Sequence, residues 1–259
     1  YQPKFVEVPT DNGGLIPEEL DKILETTPNC KFIYVIPDFQ NPTGRTWSME
    51  RRQKFMEVVN KHNLPVLEDN PYGELRYEGT ILPSLKSMDT KGLVMFLGTF
   101  SKIFCPGLRL GWIAAEHSLL SEFVKIKQSA DLHTSNFDQG VADAYMEQYD
   151  LDEHVKEIVA LYKHRRDLIL ESMEKYFPAG TEWTHPEGGL FLWLTFPEGV
   201  SARKVFNKCI EMKVAGVIGD AFYPNQKTDR SMRINYSNMP DDRIVEGIQR
   251  MAKAIKECM

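Results

Sequence analysis

Apolar runs separated by turn residues dominate the first half of the chain. KFIYVIP, Lys31 to Pro37, is nearly continuous in apolar and β-branched residues and predicts a short strand buried on both faces. From Ser48 to His62 the period changes. Phe55, Met56, Val58 and Val59 share one helical stripe, Ser48 is a plausible N-cap, and Glu50 and Arg51 open the first turns. LPVLEDN, GLVMFLG and RLGWIAA, starting at Leu64, Gly92 and Arg109, predict three more strands. Strand and helix patterns alternating in this way predict an α/β sheet with crossover helices.

The pattern then shifts. A long helix is predicted from about Glu153 to Phe177, with Val155, Ile158, Val159, Tyr162, Ile169, Met173 and Phe177 near a 3.6 period. Pro178-Ala179-Gly180 ends it. GGLFLWLTFP, from Gly188, reads as a strong strand. RSMRINYS, from Arg230, alternates strictly: Met232, Ile234 and Tyr236 share one face, Arg233, Asn235 and Ser237 the other. A last helix opens at Pro240-Asp241-Asp242 and stripes Ile244, Ile248, Met251 and Ile255. The reading is a larger domain over residues 1–150 and a smaller α+β domain over residues 151–259, with the boundary at about residue 150.

Composition narrows the classes. The chain has 259 residues, 42% hydrophobic and 26% charged, as in ordinary globular proteins. Its net charge of −6 argues against a nucleic-acid or anionic-membrane surface, and no apolar run reaches the roughly 20 residues of a membrane span. Cys30, Cys105, Cys209 and Cys258 form no C-x-x-C pair, which suggests free thiols in a reducing, cytoplasmic compartment. The histidines lack zinc-site spacing, so no metal is expected. Asn235-Tyr236-Ser237 matches the glycosylation pattern but lies in a predicted strand, and is read as a chance match.

Polar groups collect after the strands. Asn41 enters a Pro-Thr-Gly turn after the first strand, Asp69 and Tyr72 follow LPVLE, and Thr99, Ser101 and Lys102 follow GLVMFLG. In an open parallel sheet, ligands bind beyond the carboxyl ends of strands. A lysine is nearly always left in water, so one placed in such a crevice suggests a need for an amine. An amine beside hydroxyls and Arg109 suits an aldehyde cofactor that carries a phosphate, and pyridoxal phosphate is such a molecule. An aspartate would pair with its ring nitrogen and keep the ring an electron sink.

NPTG, EDNPYGELRY, GTFSKIFCPGLRLGW, EGGLFLW and SMRINYS, in this order, resemble the fold-type I aminotransferases of class I/II. The branch resembled includes 2-aminoadipate and kynurenine aminotransferases and the aminotransferase-like half of MocR regulators. The resemblance covers nearly the whole chain and implies a pyridoxal-phosphate transferase-like fold, with a mixed, mostly parallel sheet flanked by helices and a smaller α+β domain. It implies Lys102 as the lysine that bonds the cofactor and moves the proton, and Asp69 at the pyridine nitrogen. It places Tyr72 and Asn41 at the ring oxygen, Thr99, Ser101 and Arg109 at the phosphate, and Arg233 at the substrate α-carboxylate, with Asn41 nearby. It also implies a homodimer acting on an amino acid and a 2-oxo acid.

Two departures stand out. The family's N-terminal part, with its Gly-rich phosphate loop and ring-stacking aromatic residue, is expected to be missing from this chain. Ile218 stands where the family usually has a proline. The same residues leave two alternatives open: another pyridoxal-phosphate reaction, such as a C–S lyase or decarboxylase, or an effector-binding domain of a MocR-type regulator.

Overall fold

A computed structural model describes residues 2–225 and 229–259. The chain divides into two compact units, one of Val8–Asp38 and Thr46–Val159, the other of the residues up to Glu7, Phe39–Arg45 and Ala160–Met259.

The first unit opens with a small hairpin, β1 (Thr10–Asp11) and β2 (Gly14–Leu15), followed by α1 (Pro17–Thr26). Its sheet has the order β3-β4-β5-β6, formed by Ile33–Val35, Val66–Asp69, Val94–Thr99 and Gly111–Ala114. The first three strands are parallel and β6 returns antiparallel to β5. Helix α2 (Met49–His62) crosses from β3 to β4. Its Ser48 cap accepts the Arg51 N–H at 3.2 Å, and Asn63 ends it in the left-handed region. The short α3 (Leu85–Met88) precedes β5; α4 (His117–Ala130), α5 (Asn136–Gln148) and the start of α6 (Leu151–Tyr176) follow β6.

The core of this unit lies on one face of the sheet. Val35, Val66 and Val94 meet Leu20, Leu24, Phe55, Met56 and Val59 from α1 and α2. The expectation of a first strand buried on both faces fails here. β3 is three residues long, and Tyr34, on its other face, is 53% exposed. β4 shows the same alternation: Val66 and Glu68 are buried, Leu67 and Asp69 only half-buried.

The second unit has an antiparallel sheet of order β7-β8-β10-β9, formed by Glu182–Trp183, Phe191–Thr195, Ser231–Asn235 and Val217–Ile218. Helices α7 (Ala202–Glu211) and α8 (Asp241–Cys258) pack against each other. Ile244, Ile248, Met251 and Ile255 of α8 are all buried, as the stripe predicts. Of the α6 stripe, Ile169 and Met173 are buried, whereas Val155, Ile158, Val159 and Tyr162 are half-buried. Among the described residues, no helix is long and apolar enough to cross a membrane.

Candidate active site

The sequence Glu68-Asp69 puts two carboxylates side by side, and strand alternation sends them to opposite faces. Glu68 turns inward and accepts the backbone N–H groups of Leu85 and Lys86, each at 2.8 Å, capping α3. Its burial raises its pKa, against the pull of those two donors. Asp69 ends β4 on the open face, opposite Leu97 of β5. The Asn70 N–H continues the ladder to the Leu97 carbonyl at 3.0 Å. The hydroxyl of Tyr34 donates a hydrogen bond to Asp69 Oδ2. Among the described residues, Asp69 Oδ1 has no hydrogen-bond partner. Tyr72 is buried three residues later, in a turn closed by the Leu75 N–H on the Tyr72 carbonyl at 2.8 Å.

β5 ends at Thr99, and the chain turns at once. Thr99 Oγ1 donates to the Leu110 carbonyl and accepts the Ser101 N–H, both at 3.1 Å, so this hydroxyl also shapes the turn. The Phe100 N–H reaches the Leu110 carbonyl at 3.1 Å, tying both ends of the loop that carries Lys102. Beneath it, Trp112 lies so close that a Cβ on Gly98 would meet its ring at 2.2 Å, so only glycine fits there. Arg109 adopts a left-handed backbone, φ 55°. Its Nη1 donates to the Pro106 carbonyl at 2.9 Å and to Ser101 Oγ at 3.4 Å. Among the described residues no carboxylate pairs with Arg109, and the Lys102 amine, half-buried, has no hydrogen-bond or ion-pair partner.

The second unit brings together Asn41 and Arg233, 192 residues apart in sequence: Arg233 Nη1 donates to Asn41 Oδ1 at 2.7 Å. Asn41 sits in a turn fixed by the Gly44 N–H on the Gln40 carbonyl at 2.6 Å and by Thr184 Oγ1 on the Thr43 carbonyl at 2.8 Å. Arg233, central in β10, faces away from buried Met232 and Ile234. Its guanidinium carbon lies 4.2 Å from the Phe191 ring centre and 5.1 Å from that of Phe222. Two aromatic faces and an amide oxygen thus fix the plane of a fork suited to a carboxylate.

Residues 1–251 match the family model for aminotransferases of class I and II. The chain belongs to this family. It is 42% identical to aromatic-amino-acid aminotransferase 1 of Thermococcus litoralis, over all of this chain and 63% of that protein. The crystal structure of Pyrococcus horikoshii kynurenine aminotransferase, in complex with PMP, superposes with a TM-score of 0.95 at 40% identity, covering 99% of this chain and 65% of that one. The α-aminoadipate aminotransferase of Thermus thermophilus, complexed with N-(5'-phosphopyridoxyl)-L-leucine, superposes with a TM-score of 0.91 at 31% identity, covering 99% and 66%. The chain therefore spans just under two thirds of the relatives it matches, and it has the fold of pyridoxal-phosphate-dependent transferases.

The residues present fit the family's cofactor, pyridoxal phosphate. An arginine with no carboxylate beside it and a hydroxyl at its fork suit a phosphate. A partnerless amine suits an aldehyde. A carboxylate with one oxygen held and the other open suits a ring N–H. Sequence reasoning missed Tyr34, because a tyrosine inside an apolar run reads as core. It also missed Phe191, whose closeness to Arg233 only the β8–β10 register reveals, and Phe222, which reaches Arg233 from the turn after β9. The signal available for Phe191 was its place in EGGLFLW.

Proposed function

We propose that the protein is a pyridoxal-phosphate-dependent aminotransferase that moves an amino group from an amino acid to a 2-oxo acid. The observation that carries this reading is the free amine of Lys102 just past the end of β5, beside the strand end that carries Asp69. When bound, the cofactor supplies an aldehyde for an amine and a protonated ring that withdraws electrons from the substrate α-carbon. Lys102 offers the amine for attachment, and its Nζ then takes and returns the α-proton. Asp69 would hold the ring N–H, with Tyr72 and Asn41 at the ring oxygen. Arg109, Ser101 and Thr99 would hold the phosphate. Arg233, its plane set by Asn41 and the two phenylalanines, binds the α-carboxylate, which orients the Cα–H bond.

The protein works as a homodimer in this reading. Its four free thiols accord with a reducing, cytoplasmic setting. Sustained amino transfer requires a 2-oxo acid acceptor, whereas lyase or decarboxylase chemistry does not. The test is turnover of an amino acid with and without 2-oxoglutarate, in wild type and Lys102→Ala. Turnover that needs both the acceptor and Lys102 supports the proposal; turnover without acceptor, or without Lys102, refutes it.

A further inference from the structure

The geometry points to Tyr34 as a positioning residue that holds Asp69 through its Oδ2 and so aims Oδ1 at the cofactor ring. This rests on the reading above.

The placement follows from register. In the parallel pairing of β3 and β4, Tyr34 lies opposite Leu67, two residues before Asp69. Residues opposite one another or two apart share a face, so Tyr34 and Asp69 both stand on the open side of the sheet. A tyrosine side chain is long enough to reach diagonally along that face to the end of the next strand. The hydroxyl closes on Oδ2.

The contact is not needed to bury the ring. Tyr34 is half exposed, and a phenol left in water costs the fold little. The bond therefore acts on the carboxylate. Asp69 is the last residue of β4, with no other side-chain partner among the described residues. Without the phenol, its χ1 and χ2 are free to turn Oδ1 away. Burial and the negative charge of Asp69 hold the phenol far above its ordinary pKa, so it remains a donor over the whole working range. One oxygen is thus tied by a charge-assisted bond and the other left for a ring N–H.

The test is a double-mutant cycle on the full chain loaded with pyridoxal phosphate, using Tyr34→Phe, Asp69→Asn and the pair. The readouts are cofactor Kd, the visible spectrum of the bound cofactor, and kcat against KM. Tyr34→Phe is expected to weaken cofactor binding by about tenfold and to change its spectrum. It should lower kcat by about tenfold while the KM for the amino acid stays within about twofold. In the Asp69→Asn background the same change should add almost nothing. An unaltered Tyr34→Phe protein overturns the proposal. So do effects that simply add to those of Asp69→Asn, since general damage to the sheet would add. If wild type takes up no cofactor, the aminotransferase reading falls and this role with it. If wild type binds normally and Tyr34→Phe matches it, only the role of Tyr34 falls.

Discussion

The two sides of the β3–β6 sheet handle polar groups in opposite ways. On the helix-covered side the buried charges Arg52, Asp38 and Glu68 are answered. Arg52, fully buried, donates from Nη2 to Asp38 at 2.6 Å, from Nε to the Trp47 carbonyl at 3.2 Å and from Nη1 to the Pro83 carbonyl at 2.9 Å. Arg76 adds a second bond to Asp38 at 3.2 Å, and Glu68 caps α3. On the open face and just past the strand ends, among the described residues, Lys102 and one oxygen of Asp69 have no protein partner, and Arg109 bonds only neutral oxygens. Buried charge must be compensated inside the fold, so the first set is structural. Charge left uncompensated beside a strand end is available to a ligand, so the second set is chemical.

The largest expected effect is on the covered side. Asp38→Ala leaves Arg52 buried without its counter-ion and should cost about 3–5 kcal/mol of unfolding free energy, measured by denaturant titration. A loss below about 1 kcal/mol would mean that this cluster is not the structural half of the comparison. On the open side the pattern should reverse. Arg109→Ala should weaken pyridoxal phosphate binding by about ten- to a hundredfold while unfolding free energy stays within about 0.5 kcal/mol. Fluorescence titration together with a melt separates the two effects.

A smaller effect concerns pH. The folded pKa of Glu68 is raised above its ordinary 4.5 by burial. A raised carboxyl contributes stability that is fully present below the unfolded pKa and is lost as pH rises through the folded value. Wild type should therefore lose stability relative to Glu68→Gln as pH climbs from below 4.5 toward neutrality. Parallel melting curves for the two proteins across that range would show that Glu68 ionises as freely folded as unfolded.

Much of this arrangement was legible in the chain. The apolar runs marked β3, β4 and β5, and period-2 alternation alone assigned Arg233 to the face away from the core. Ser48 announced the start of α2. Other features depend on information that local patterning lacks. Period 2 says that Glu68 and Asp69 face opposite ways, but only the packing of α1 and α2 says which way is in. The pairing of Tyr34 with Asp69 needs the β3–β4 register, and that of Asn41 with Arg233 joins residues 192 apart. Helices α4 and α5 carry apolar residues such as Val124, Ile126 and Phe137 that stay exposed, so burial does not reinforce their stripe.

The central claim is that the free amine beyond β5 is the point of covalent attachment. It is tested most directly by loading the protein with pyridoxal phosphate, reducing with borohydride, and locating the label by peptide mass spectrometry. The account predicts one phosphopyridoxyl group, on Lys102, and none in Lys102→Ala. A label on another lysine, or a protein that takes up no label, would contradict it.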